Sequence, residues 1–406
     1  LSDQIIIVGG SHAAISVADN LRKQSFDGPI KIINAEDELP YQRPPLSKAY
    51  MSGDMTLDRL HLRPAEWYAD NNIDLVLSTR ATAIHRDTKQ LEIEGGALIA
   101  YDKLVLATGA SARKLPAAIG GELDNVHVMR DLRDANILME KMTAGKKLVV
   151  IGGGYIGLEA AAEASKKGLS VTVLEAAPRI LQRVASPETA DAFRALHEKH
   201  GVKVLENVVL KHIKDNGNGA CAGVVLEDDT IIDADIIITG IGILPNMELA
   251  VAAELKTGLG IIVDEYGRTS DADIYACGDV TVLPFEGQPT RLESVQNAHD
   301  QGAIVASNIA GANEAYHPEP WFWSDQYDMK LQIAGLNRGY DNVVIRQGKR
   351  EGSVSHFYFS GDKFIAVDCM NDAATYAMSK RILASNAQLT IEMVLDQEFA
   401  LKSLLV

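Results

Sequence analysis

Two stretches of this chain repeat one plan. Val149–Glu175 reads VVIGGGYIGLEAAAEASKKGLSVTVLE, and Ile5–Gln24 reads IIIVGGSHAAISVADNLRKQ ahead of the apolar run Ile30–Ile33 and Glu36. Each is an apolar run of strand length, a glycine turn, a helix-length segment, a second apolar run and an acid. That order dictates a strand–turn–helix–strand unit with parallel strands, because the helix carries the chain back to the starting edge of the sheet. A second echo reinforces the duplication. LVLATGA at Leu104–Ala110 and DIIITGIG at Asp235–Gly242 are both apolar strands closing on T-G. Uninterrupted apolar runs of this kind suit parallel strands covered on both faces. The strand-then-glycine-acid pattern returns in DADIYACGDV, Asp271–Val280, so the first domain resumes once the second is complete.

The expected fold class is therefore α/β, with two Rossmann-like dinucleotide-binding domains, one inserted in the other. The first covers 1–113 and 245–320 and the second 114–244. A helix is expected over about Ser294–Ala310, where Val295, Ala298, Gly302, Val305, Ala306 and Ile309 form a helical stripe and Gly311 stands at the C-cap. From YHPEPWFWSDQY onward the texture changes. Short strand-like runs at Leu331–Ala334, Val343–Arg346, Val354–Phe359 and Phe364–Asp368 precede a helix around Ala373–Ser385, so 321–406 is expected to be a smaller C-terminal α+β domain. A chain of 406 residues accommodates such a plan at roughly 100–200 residues per domain.

The second unit carries a complete G-x-G-x-x-G at Gly152, Gly154 and Gly157. The first glycine makes the tight turn, the second lets a pyrophosphate approach bare backbone, and the third lets the helix lie close to the strand. The helix N-terminus offers amide donors and positive dipole to the phosphates. Glu175 ends the next strand, placed to accept hydrogen bonds from the adenosine ribose. A carboxylate there repels a 2′-phosphate, so NADH is favoured over NADPH, although Arg179 and Arg183 follow closely. The first unit is degraded: Gly9 keeps the first place, but Ser11 and Ala14 replace the other two glycines, with His12 and Ala13 completing the turn into the helix. Glu36 lies just past the second strand, placed for a ribose. The proline pair of LPYQRPPLSKAY then fixes an extended segment that carries Arg43 and Lys48 past a ligand.

Charge and cysteine usage exclude several classes. A formal charge of −16 argues against general nucleic-acid or acidic-membrane binding, while a local basic patch can still dock an acidic protein. Cys221, Cys277 and Cys369 are scattered, with no C-x-x-C pair; they read as buried small hydrophobes, which points to a reducing compartment and a cytoplasmic location. No apolar run approaches the ~20 residues of a membrane helix, and no signal-peptide pattern opens the chain. No metal site is expected, and monomer or weak dimer is the expected assembly.

The segments PYQRPPLSK, LATG, VVIGGGYIGLE, IYACGDV, RLESVQNA and PWFWSDQY, in this order, together resemble the flavin-dependent ferredoxin reductases of the glutathione-reductase fold that serve bacterial cytochrome P450 and aromatic-ring dioxygenase systems. The glycine motifs are shared by many flavoproteins; RPPLSK with PWFWSDQY is far more selective. The resemblance implies FAD in the first unit, NADH in the second and a [2Fe–2S] ferredoxin as partner: hydride passes from NADH to flavin, and single electrons leave for iron.

It also implies residue roles. Lys48 and Glu159 would meet beside the flavin ring, Glu159 lying in the first turn of the NAD-domain helix. Asp279 would hold a ribityl hydroxyl, Arg43 and Arg130 the pyrophosphate or adenine end, and backbone near Ala81 and Thr82 the adenine. Ala107, Thr108 and Gly109 of the LATG segment would also line the FAD, and Val295 would begin a helix whose dipole faces the flavin C2 carbonyl. Tyr155 and Ile156 would line the nicotinamide slot, and Gly242 would approach NAD. Trp321 and Trp323 are candidates for a wall toward the ferredoxin, and Lys330, Arg338, Lys380 and Arg381 for a basic docking face. Disulfide and peroxide reductases of the same fold need a cysteine near the flavin, and Glu36–Tyr50 contains none. A rubredoxin reductase, or an NADH-sensing interaction protein resembling apoptosis-inducing factor, remains as an alternative.

Overall fold

The computed structural model describes residues 3–405, and these divide into two compact units. The first comprises the chain to Arg43, Thr56–Ser111 and Ile243–Pro318; the second comprises Pro44–Met55, Ala112–Gly242 and the chain from Glu319.

The first unit is built on a five-stranded parallel sheet in the spatial order Ile274–Ala276, Lys103–Leu106, Ile5–Val8, Ile30–Ile33, Ile73–Val76. Ile5–Val8 is the central strand and is buried along its whole length, as expected for an apolar run covered on both faces. Strand order reverses beside it, and that switch point is where such sheets bind nucleotides. The helix His12–Lys23 covers one face and packs against Val295–Ile309. Val295–Ile309 follows the expected stripe. Ser294 caps it through Asn297 N–H (3.1 Å), and Gly311 takes φ +97° just beyond its end.

The second unit repeats the parallel sheet as Lys203–Leu205, Ser170–Leu174, Lys147–Ile151, Ile236–Thr239, Val126–Val128. Its last strand comes from ahead of the glycine turn rather than from the chain's return, yet it takes the same edge place as Ile274–Ala276 does in the first sheet. Each unit also inserts a three-stranded antiparallel meander just ahead of its last-but-one or last parallel strand in chain order: 81–100 before Lys103–Leu106 in the first, and 210–233 before Ile236–Thr239 in the second. Met129–Ala135, MRDLRDA, carries a capping box in which Asp131 and Asp134 bond each other's backbone N–H at the start of Leu132–Lys141.

The C-terminal part of the second unit is a five-stranded antiparallel sheet in the order Trp321–Gln326, Met329–Gly335, Lys363–Met370, Val354–Ser360, Asn342–Gln347. Ala373–Leu383 packs on it over a core including Phe357, Phe359, Val367 and Ile382. Four of these strands sit where the apolar runs place them. Trp321–Gln326 is an additional strand, hidden in the sequence because WFWSDQ does not alternate cleanly between apolar and polar.

A polar knot is buried in this unit. Tyr358 and Thr189 both donate to Asp368, the Thr189 hydroxyl at 2.8 Å, and Thr189 in turn accepts from His356 Nδ1 at 2.8 Å. Burial pushes the Asp368 carboxyl up to about 6 and the His356 imidazole down to about 4. A buried acid with a raised folded pKa loses stability as pH rises from the ordinary carboxylate range to about 6. A buried imidazole with a lowered pKa loses stability as pH falls from its ordinary value to about 4. The two trends oppose each other in the parent protein. Asp368→Asn removes one of them, so urea unfolding should show the variant gaining on the parent by roughly 2–3 kcal/mol between about pH 4 and about pH 7. A pH-independent difference would mean that Asp368 does not titrate in the fold.

Candidate functional site

In the first unit Gly9 turns the chain out of the central strand with φ +118°; a Cβ there would lie 2.2 Å from the Ala107 carbonyl oxygen. The turn therefore fits only glycine and brings the LATG segment against it. Ser11 is the N-cap of His12–Lys23 but makes no side-chain cap bond, which leaves the first-turn amides around Ser11, His12, Ala13 and Ala14 to an external acceptor. Glu36 is gripped by the Tyr41 hydroxyl and the Arg43 guanidinium, and Arg43 also lies over the Tyr41 ring at 5.1 Å. His12 is buried edge-on to His299 at 5.4 Å, and its pKa drops to about 3 through burial, then through the positive charge of His299 and Arg43. It is a neutral structural imidazole. Thr108 donates to the Asn246 carbonyl at 2.7 Å and accepts from the Asn246 side chain at 2.8 Å, which locks the turn through Gly109. Asp279 is half-buried two residues after the buried Cys277. Ala81 and Thr82 open the meander, and Val295 opens the capped helix. A helix terminus without a side-chain cap behind a glycine turn, with an oriented acid past the next strand, suits a dinucleotide, and these residues fit FAD.

In the second unit Gly152 has φ +106°, and a Cβ there would lie 2.5 Å from the Gly240 carbonyl oxygen. Gly157 packs so tightly that a Cβ would meet the Gly152 oxygen at 2.3 Å, whereas a Cβ on Gly154 would meet nothing within 4 Å. Gly154 is the uncapped N-cap of Tyr155–Lys166. Glu175 accepts from Gly153 N–H at 2.8 Å and from Ala177 N–H at 2.8 Å, so the acid is already tied to the turn. Arg183 lies near Gly242, its Nη2 3.9 Å from where a Cβ would be. Ile156 is exposed, and the Tyr155 ring packs on Phe322 at 5.2 Å with its hydroxyl buried and unpartnered. These residues fit the phosphates, ribose and nicotinamide of NADH. Arg130, expected with the first cofactor, belongs to the second unit, where its backbone N–H donates to Asp134 at 2.9 Å.

Lys48 and Glu159 meet in the second unit, Nζ to Oε2 at 2.6 Å, with Glu159 only 3 % exposed. Its expected first-turn placement is corrected. The helix begins at Tyr155, so Glu159 is its fifth residue, past the amide-rich end, and takes side-chain donors instead. Besides Lys48 these are the Ser47 hydroxyl to Oε2 and the Ser324 hydroxyl to Oε1, both at 2.7 Å. Ser47, Ser324 and Tyr41 were not singled out in the sequence. Ser47 stands next to Lys48 in the selective segment, which was a usable signal. Ser324 had none. Lys380 Nζ lies 5.3 Å from the centre of the Trp321 ring, and Trp321 and Trp323 are 5.5 Å apart, both half-buried.

Residues 3–302 match the pyridine nucleotide-disulphide oxidoreductase family and 321–405 the reductase C-terminal family. The chain belongs to the pyridine nucleotide-disulphide oxidoreductases. Rhodocoxin reductase of Rhodococcus erythropolis is 41 % identical over 400 residues, 98 % of this chain and 93 % of that protein. A rubredoxin-NAD(+) reductase of Pseudomonas putida is 40 % identical over 369 residues, 90 % of this chain and 95 % of that protein. Among solved structures, the covalent putidaredoxin reductase–putidaredoxin complex matches with a TM-score of 0.96 at 38 % identity, covering 99 % of this chain and 98 % of the other. Among the described residues, no helix is long and apolar enough to cross a membrane.

Proposed function

We propose that this chain is an NADH-dependent FAD flavoprotein that takes hydride from NADH and passes single electrons to a [2Fe–2S] ferredoxin of a cytochrome P450 or ring-hydroxylating dioxygenase system. Bound FAD supplies the coupling of a two-electron donor to one-electron transfer. The observation that carries the reading is what stands in place of a redox thiol. All three cysteines are free and buried. Burial pushes Cys221 up to about 11 and Cys277 up to about 12, and it raises Cys369 further. None of them supplies a thiolate at neutral pH. The segment after Glu36 carries Lys48 instead, paired to Glu159 of the NAD-turn helix. A chain of this family without a reactive thiol has flavin and nicotinamide alone for its chemistry.

On this reading, residues 1–113 and 245–320 form the FAD domain. The amides behind Gly9 take the pyrophosphate, Glu36 the ribose and Asp279 the ribityl chain, with Arg43 and Arg130 near the phosphate and adenine end. Residues 114–244 form the NADH domain: Gly154 admits the pyrophosphate, Glu175 orients the adenosine ribose, and Tyr155 and Ile156 line the nicotinamide slot. Lys48 places a positive charge beside the reacting ring edge, and Glu159 fixes where that ammonium stands. Residues 321–406 shape the acceptor side, and the cytoplasm is the compartment.

The purified yellow holoprotein should reduce cytochrome c with NADH only when a [2Fe–2S] ferredoxin is present. A panel holding several ferredoxins and a rubredoxin decides the acceptor. Stimulation by rubredoxin alone would replace the ferredoxin assignment, and stimulation by none would remove the electron-transfer reading.

A further inference from the structure

Glu159 is held from behind by a line of buried side chains that nothing in the glycine motifs announces. On the strand Trp321–Gln326, Ser324 and Gln326 point to one face, as alternation requires. Ser324 donates its hydroxyl to Glu159 Oε1 at 2.7 Å, Gln326 Nε2 donates to the Ser324 oxygen at 3.1 Å, and Gln326 Oε1 receives His197 Nε2–H at 2.8 Å. Ser324 and His197 are fully buried, and Gln326 is 1 % exposed. Every bond in the line points the same way, imidazole to amide to hydroxyl to carboxylate. Successive donors polarise one another in a low-dielectric interior, and the last acceptor is the one that gains most. The first member is neutral: burial lowers the His197 pKa, and its Nδ1 is buried without a partner, so Nε2 alone ties the ring to the line.

We propose that Ser324, Gln326 and His197 are positioning residues, a one-directional hydrogen-bonded relay that aims the Glu159 carboxylate at Lys48. The catalytic pair is then oriented from the C-terminal sheet rather than by the glycine-turn helix that bears Glu159. A helix alone leaves a carboxylate free to rotate about its side-chain bonds. Ser324 fixes Oε1, so Oε2 faces Ser47 and Lys48. The inference rests on the reading in which that pair serves hydride transfer.

The test has an activity arm and a spectroscopic arm, both on the FAD-loaded protein. In stopped-flow, Ser324→Ala should lower the rate of flavin reduction by NADH about tenfold, the usual scale for one hydrogen bond to a charged group. NADH affinity should stay unchanged, because Ser324 lies outside the glycine turn. Ser324→Thr, which keeps the hydroxyl, should restore most of the rate. In nitrogen NMR, the His197 imidazole signal should move in Ser324→Ala and also in Glu159→Gln, although the bond His197 donates goes to Gln326. An unmoved His197 signal in both variants overturns the relay. So does a parent-like rate in Ser324→Ala while Lys48→Ala is slow. If Lys48→Ala itself reacts at the parent rate, the role of the pair has failed, and the His197 signal still decides whether the relay exists.

Discussion

Replacing Lys48 by alanine should slow flavin reduction by NADH about 100-fold, the scale of removing one preorganised electrostatic group from a water-poor site, while the folded protein keeps its FAD. The ammonium lies 2.6 Å from a carboxylate that is 3 % exposed, so its position is set by a contact that water barely screens. Removing one partner of a buried ion pair ordinarily costs about 3–5 kcal/mol, because the other charge is left unpaired. Here Ser47 and Ser324 still donate to Glu159, and the cost should fall below that range. The variant is therefore expected to stay folded and yellow, which makes its rate interpretable. The residues proposed to hold FAD, Gly9, Glu36 and Asp279, are left intact, so retained FAD with slow reduction separates a catalytic loss from a binding loss. Stopped-flow reduction at the parent rate would dismiss Lys48 from the reaction.

The three glycines of the second turn should separate into one binding position and two structural ones. Gly154→Val puts a side chain into space that the fold leaves open, so the melting temperature should barely change. The same side chain occupies the approach to the helix terminus proposed for the pyrophosphate, and NADH affinity should fall about 100-fold or more. Gly157→Ala has the opposite signature. Its methyl would stand 2.3 Å from the Gly152 carbonyl oxygen, a backbone atom that moves only with the strand. Overpacking of this kind costs roughly 1–3 kcal/mol, and the melting point should drop before affinity is considered. Gly152→Ala combines a left-handed φ with a clash against Gly240 and should destabilise at least as much. Calorimetric melting with NADH titration on the same samples checks all three. A Gly154→Val protein that binds NADH like its parent would remove the pyrophosphate from this turn.

Much of the plan is legible in the sequence. Both strand–turn–helix units, the two T-G strands, the resumption at Asp271–Val280 and the capped helix at Val295 follow from runs of a few residues whose periodicity and punctuation are local. The strand Trp321–Gln326 was missed because its aromatic residues crowd together and mask the period of two. Arg130, which the resemblance assigns to the first cofactor, lies in a segment of the second unit, so that role has no signal in its place along the chain. Glu159 was placed in the first turn of its helix, while the cap at Gly154 starts the helix late enough to put it in the second.

The sequence by itself determined the duplication, the two nucleotide cradles and the lack of a paired redox thiol, since glycine spacing, apolar runs and cysteine positions act over a few residues each. Only the tertiary structure decided which side chains complete the Lys48–Glu159 pair. Its donors come from 112, 111 and 165 residues away along the chain. Hydroxyls such as Ser47 and Ser324 leave no periodic trace at that separation. Their bonds exist because sheet packing buries a carboxylate that must then be satisfied by whatever the neighbouring strand presents.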